Sequence, residues 1–131
     1  MIDSVAPRRI LICGLGSIGK KYAKIIKEIW PKCEIGALRS GKNVDSSDLV
    51  HAEFIQVQEA ICWNPSAAII ASPANLHVKQ ALNLIRNNIP TLIEKPLGTG
   101  DETIDELNEL EQLSKRIPVY LAYILRQDPG A

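Results

Sequence analysis

At 131 residues the chain is long enough for one domain with a real hydrophobic core. Lysine plus arginine and aspartate plus glutamate number 15 each, so bulk charge points to no nucleic-acid or other polyanion partner. Residues 1–9 lack the apolar core of a secretion signal and no apolar run could span a bilayer, so a cytoplasmic protein with no membrane partner is expected. Cys13, Cys33 and Cys62 are odd in number and widely spaced, which reads as reduced thiols. No Cys/His cluster is present, and no metal site is expected.

The first element is a short apolar run, Arg9 to Cys13, of the kind buried on both faces of a parallel sheet. It leads straight into Gly14-Leu15-Gly16-Ser17-Ile18-Gly19, a G-x-G-x-x-G turn. A helical pattern follows to Ile29, with Ile18, Tyr22, Ile25, Ile26 and Ile29 expected to face inward. In that setting Gly14 permits the tight turn, Gly16 lets the backbone approach a pyrophosphate, and Gly19 lets the helix pack closely. The helix N-terminus offers unpaired N–H groups and partial positive charge to the anion. The motif between strand and helix points to a dinucleotide.

Trp30-Pro31 ends the helix, and Glu34 to Leu38 reads as a second strand. Its end meets the adenosine ribose in such folds, where an acid selects NAD. Here stand Arg39, Ser40 and Lys42 instead, donors suited to a 2′-phosphate, so NADP is favoured over NAD. The plain alternative is a solvated loop. Asn43 to His51 reads as a loop, Glu53 to Val57 as a third strand, and Gln58 to Trp63 as a helix stopped by Asn64-Pro65.

Ala67 to Ala71 reads as a buried central strand opening on Ser72-Pro73-Ala74-Asn75. Val78, Ala81, Leu82 and Ile85 give the next helix, which runs out at Asn87-Asn88. Thr91 to Ile93 is a fifth strand ending in Glu94-Lys95-Pro96. Thr99 and Glu102 have the spacing of a capping box for a last helix with Ile104, Leu107, Leu110 and Leu113 inward. Val119 to Leu125 is the sixth strand. The alternation predicts an α/β doubly wound parallel sheet, a Rossmann fold of strand order 3-2-1-4-5-6, with its ligand at the carboxyl ends of the strands.

Four stretches together resemble the glucose–fructose oxidoreductase and inositol dehydrogenase family (Gfo/Idh/MocA). They are Gly14 to Gly19, Ala71 to His77, Glu94-Lys95-Pro96-Leu97, and Tyr123 to Arg126. The resemblance implies an NAD(P)-dependent oxidoreductase acting on a hydroxyl or carbonyl of a sugar, polyol or related small molecule. It implies that Gly14, Leu15, Gly16, Ser17 and Ile18 hold the pyrophosphate and that Arg39 and Ser40 lie by the ribose. Ala71, Ser72, Pro73, Asn75 and His77 would line the path to the nicotinamide, with Glu94, Lys95 and Pro96 close to nicotinamide and substrate. Lys95 is the catalytic candidate, since a lysine beside the reacting oxygen stabilises negative charge or moves a proton. A surface lysine in a turn is the plain alternative for Lys95, and a backbone-tied histidine for His77.

Members of that family carry a second domain with the substrate pocket, and residues 1–131 read as the cofactor-binding domain alone. The chain by itself is therefore expected to be catalytically incomplete and to self-associate as a homo-oligomer. A stand-alone, non-catalytic nucleotide-binding module is the alternative function. A methyltransferase is disfavoured by Glu94-Lys95-Pro96.

Overall fold

A computed structural model describes residues 6–39, 49–95 and 97–121. The central strand, β1 (Arg9–Cys13), is the apolar run before the glycine turn, and Ile10 to Cys13 are all buried. It pairs in parallel with β2 (Glu34–Leu38) on one side and β4 (Ala67–Ile70) on the other, so that Ile12 faces Ala37 and Ile69. β3 (Ala52–Phe54), β5 (Thr91–Ile93) and β6 (Val119–Leu121) complete a parallel sheet of order β3-β2-β1-β4-β5-β6. This is the doubly wound order expected from the alternation of elements.

Side chains alternate along β1, so each face receives its own core. Ile10 and Ile12 join Tyr22, Ala23, Ile26 and Ile35 beneath helix α1 (Ser17–Ile29). Leu11 and Cys13 join Ile70, Val78, Leu82, Ile85 and Ile93 on the opposite face. Helices α2 (Val57–Cys62), α3 (His77–Arg86) and α4 (Ile104–Ser114) cover that second face through Ala60, the α3 apolar stripe and Leu110. Asn64 and Asn88 take positive φ values of 65° and 64° just past α2 and α3, where asparagine ends helices at little steric cost.

Several local expectations need correction. The buried stripe of α1 is Gly19, Tyr22, Ala23 and Ile26, while Ile18, Ile25 and Ile29 are 41%, 41% and 57% exposed. Gly19 and Ala23 permit close approach to the sheet, and this decides the helix's rotation over the bulk of the isoleucines. The capping box of α4 is Thr103 with Glu106: the Thr103 hydroxyl accepts from the Glu106 N–H, and the Glu106 carboxylate accepts from the Thr103 N–H. Thr99 and Glu102 form a turn of their own, in which the Glu102 carboxylate accepts N–H bonds from Thr99 and Gly100. Of the four α4 residues expected inward, Leu110 is buried and Leu113 packs on the core, whereas Ile104 and Leu107 are exposed. β3 ends at Phe54, earlier than expected, because α2 begins already at Val57. Tyr123 to Arg126 lie outside the described residues.

Candidate functional site

At the carboxyl ends of β1 and β4 the chain opens into a cleft of about 800 Å³. That size lies within the usual range for small-molecule and cofactor sites, roughly 300–1,000 Å³. Gly14, Leu15, Gly16, Ser17 and Ile18 form its floor, and Arg39 with Ala71, Ser72 and Pro73 form its walls. The glycines explain why the turn can be built here. Gly14 sits at φ +91°, and a Cβ there would meet the Ser72 backbone at 2.7 Å. Its N–H donates to the Leu38 carbonyl at 2.8 Å, while the Ala71 N–H donates to the Cys13 carbonyl at 2.8 Å. A Cβ on Gly19 would lie 2.1 Å from the Gly14 carbonyl oxygen, so α1 is seated directly on the turn. A Cβ on Gly16 would meet nothing within 4 Å. The space above Gly16 is open to a ligand.

Gly16 is also the N-cap of α1. It supplies no side-chain cap, and the first turn carries no acidic residue. The leading N–H groups of the helix, at the cleft-lining residues Ser17 and Ile18, therefore have no side-chain cap, the arrangement that binds phosphate groups. At the end of β2 the Arg39 N–H donates to the Phe54 carbonyl at 2.8 Å, and its guanidinium reaches Glu53 Oε2 at 3.4 Å. The Ser72 hydroxyl donates to Gln80 Oε1 at 2.5 Å, which ties the loop after β4 to α3.

The remaining expected site residues are placed as follows. Asn75 is exposed on a single 3-10 turn, Ala74–Leu76. His77 is only 2% exposed, and its Nε2 lies 2.7 Å from the Ser72 carbonyl oxygen. Its ring is thus turned to the loop backbone after β4. Glu94 is buried at the end of β5, where its N–H donates to the Ile70 carbonyl, and Lys95 beside it is exposed. Ser40 and Pro96 lie outside the described residues, as does Lys42.

Sequence reasoning missed the partner of Glu94. The Tyr22 hydroxyl donates to Glu94 Oε2 at 2.5 Å, joining α1 to the end of β5. Burial, and then the hydrogen bond and charge of Glu94, push the Tyr22 phenol well above its ordinary range. A buried tyrosine needs a partner for its hydroxyl, and that was the available signal. Ile55, Val57, Leu76, Gln80 and Asn83 also line the cleft and were not singled out as site residues.

Residues 8–123 match the model of the oxidoreductase family with an NAD-binding Rossmann fold, Gfo/Idh/MocA. The chain belongs to that family. It carries the NAD-binding domain of Gfo/Idh/MocA oxidoreductases. Among curated proteins no sequence match is found. Myo-inositol 2-dehydrogenase from Lactobacillus plantarum superposes with a TM-score of 0.73 at 21% identity, covering 94% of this chain and 38% of its own. A Gfo/Idh/MocA family oxidoreductase from Vibrio cholerae gives 0.74 at 24% identity, covering 92% and 40%. Scyllo-inositol dehydrogenase from Lactobacillus casei, with bound NAD(H) and scyllo-inositol, gives 0.73 at 21% identity, covering 93% and 38%. The chain therefore spans about two fifths of the length of these structures.

For a Gfo/Idh/MocA domain the donor set is chemically consistent. The Gly14 to Ser17 backbone and the open end of α1 suit a diphosphate, and the guanidinium of Arg39 suits a ribose substituent at the neighbouring strand end. Among the described residues no group of histidine, cysteine, aspartate and glutamate could hold a metal ion. No helix among them is long and apolar enough to cross a membrane.

Proposed function

We propose that this chain forms the cofactor-binding part of an oxidoreductase that moves hydride between NAD(P) and a hydroxyl or carbonyl carbon of a sugar, polyol or related small molecule. The observation that carries the reading is the open space at Gly16 beside an α1 N-terminus with no side-chain cap. The bound nicotinamide supplies the hydride chemistry. The residues of this chain bind and orient it: Gly14, Leu15, Gly16, Ser17 and Ile18 hold the diphosphate, and Ala71, Ser72 and Pro73 form the wall leading to the nicotinamide. Lys95 carries the charge-stabilising or proton-moving role at the substrate oxygen. The sugar-like substrate is supported by the inositol in the Lactobacillus casei structure.

NADP is the preferred cofactor in this reading, because Arg39 stands where an acid would select NAD. A cytoplasmic, reducing setting fits the free thiols of Cys13, Cys33 and Cys62. Self-association is supported by the exposure of Ile104 and Tyr120, at 73% and 63%. Concentration-dependent sedimentation is expected, and strictly monomeric behaviour at high concentration would remove that part of the proposal.

Calorimetric titration of the purified chain with NADPH and NADH, in matched buffer, tests the function. Tighter NADPH binding that weakens in Arg39→Asp is the expected outcome. Binding of neither dinucleotide overturns the reading.

A further inference from the structure

The cation at the end of β2 does not act alone. Arg39 lines the cleft with its side chain only 9% exposed, and its guanidinium lies 3.4 Å from a Glu53 carboxylate that is 39% exposed. Glu53 belongs to β3, which pairs with β2 so that Glu53 stands opposite Ala37 and Phe54 opposite Leu38. The Arg39 N–H bound to the Phe54 carbonyl fixes the two strand ends side by side. At this corner the cleft is lined by the guanidinium, and the Glu53 carboxylate stands beside it, outside the lining itself. The first attracts a phosphate, while the second competes with a phosphate for the guanidinium and opposes it by charge.

We propose that Glu53 is a specificity-determining residue, which restrains Arg39 and sets how strongly the site separates a 2′-phosphate from a 2′-hydroxyl. A 2′-phosphate must share the guanidinium with Glu53 and approach its negative charge. A 2′-hydroxyl meets no such opposition. Glu53 thereby offsets part of the guanidinium's charge, so the cleft prefers NADP less than Arg39 alone dictates. The inference deepens the dinucleotide reading and rests on it.

The test compares NADPH and NADH affinities of the wild-type chain with those of Glu53→Gln, which removes charge at nearly constant shape. NADPH binding is expected to tighten roughly three- to tenfold at low salt, with NADH unchanged or slightly weaker. That gain should shrink as ionic strength rises, because the pair is partly exposed. Glu53→Asp, which keeps the charge, should hold the NADPH-to-NADH ratio within about twofold of wild type. The inference is overturned by unchanged or weaker NADPH binding in Glu53→Gln, or by both dinucleotides shifting together as a merely structural role requires. If the wild-type chain binds neither dinucleotide, the functional reading fails and Glu53 loses its role with it.

Discussion

Gly16 and Gly19 are three positions apart in one motif and answer to different demands. Gly19 is a packing residue, since a methyl group there would collide with the Gly14 carbonyl oxygen at 2.1 Å. Gly19→Ala is expected to cost about 1–3 kcal/mol or more of stability, as overpacked cores do, and to lower the melting temperature visibly. Gly16 has an ordinary φ of −78° and open space around it. Gly16→Ala is expected to melt within about 1 kcal/mol of wild type. Its NADH affinity should nonetheless fall by about tenfold or more, because the methyl group occupies the approach of the diphosphate. Parallel melts and titrations of the two variants separate folding from binding. Tyr22→Phe strips the hydroxyl donor from buried Glu94 and should cost about 1–3 kcal/mol in urea denaturation; a wild-type midpoint would show that the bond contributes nothing. The turn at Gly14 and the close packing at Gly19 were readable from the motif's place between strand and helix. The Tyr22–Glu94 bond was not, because it spans 72 positions and no local pattern encodes it.

At the level of elements, the two S/T-x-x-E patterns of the last helix give the sharpest comparison. Thr103→Ala should cost about 1 kcal/mol, since its hydroxyl caps α4. Thr99→Ala should stay within about 0.5 kcal/mol. The Glu102 carboxylate takes the Thr99 N–H at 3.1 Å, and the Thr99 hydroxyl contact is longer at 3.5 Å. Urea denaturation of the pair decides which threonine is the cap. Glu106 is held below its usual range by the Thr103 N–H and by Lys79. Its contribution is therefore present above the ordinary carboxylate range and is lost as pH falls through the lowered value. Sequence could not choose between the two boxes, because both have the right spacing. The turn through Gly98 to Gly100 separates them in space, with Gly100 at φ +95°. The same kind of degeneracy misled the reading of α1, where hydrophobicity weights isoleucine over glycine and alanine, yet close packing favours the small residues. By contrast, β1 and β2 were legible to the residue, because each is an unbroken run buried on both faces and bounded by a charged residue and the crevice.

For the molecule as a whole, its thiols report on which parts of the fold are sealed. Cys13 and Cys33 are buried in opposite faces of the sheet, while Cys62 is exposed at the end of α2. A thiol-selective alkylating reagent should modify Cys62 in the native state and reach Cys13 and Cys33 only after unfolding, as peptide mass mapping would record. Burial pushes the Cys13 thiol up from 9.0 to about 12. A group raised in this way contributes stability that is complete below its unfolded value and declines as pH climbs through the folded one. The chain should therefore lose stability progressively between about pH 9 and 12, in the same direction as the Tyr22 phenol. Denaturation midpoints across that window check the sign. The order of the strands, and a crevice at their carboxyl ends, followed from the alternation of elements. The ion pair across β2 and β3 did not, because it depends on register.

The crossing of Gly14 over Ser72 has a consequence for inheritance. At that point two main chains meet with no side chain between them. Substitution elsewhere can change charge, bulk and polarity around the crossing, but it cannot alter a separation set by peptide atoms alone. Drift is thus absorbed by the surroundings while the spacing of the glycine turn from the loop after β4 is kept. Chains that share only 21% and 24% of their residues with this one have superposable folds.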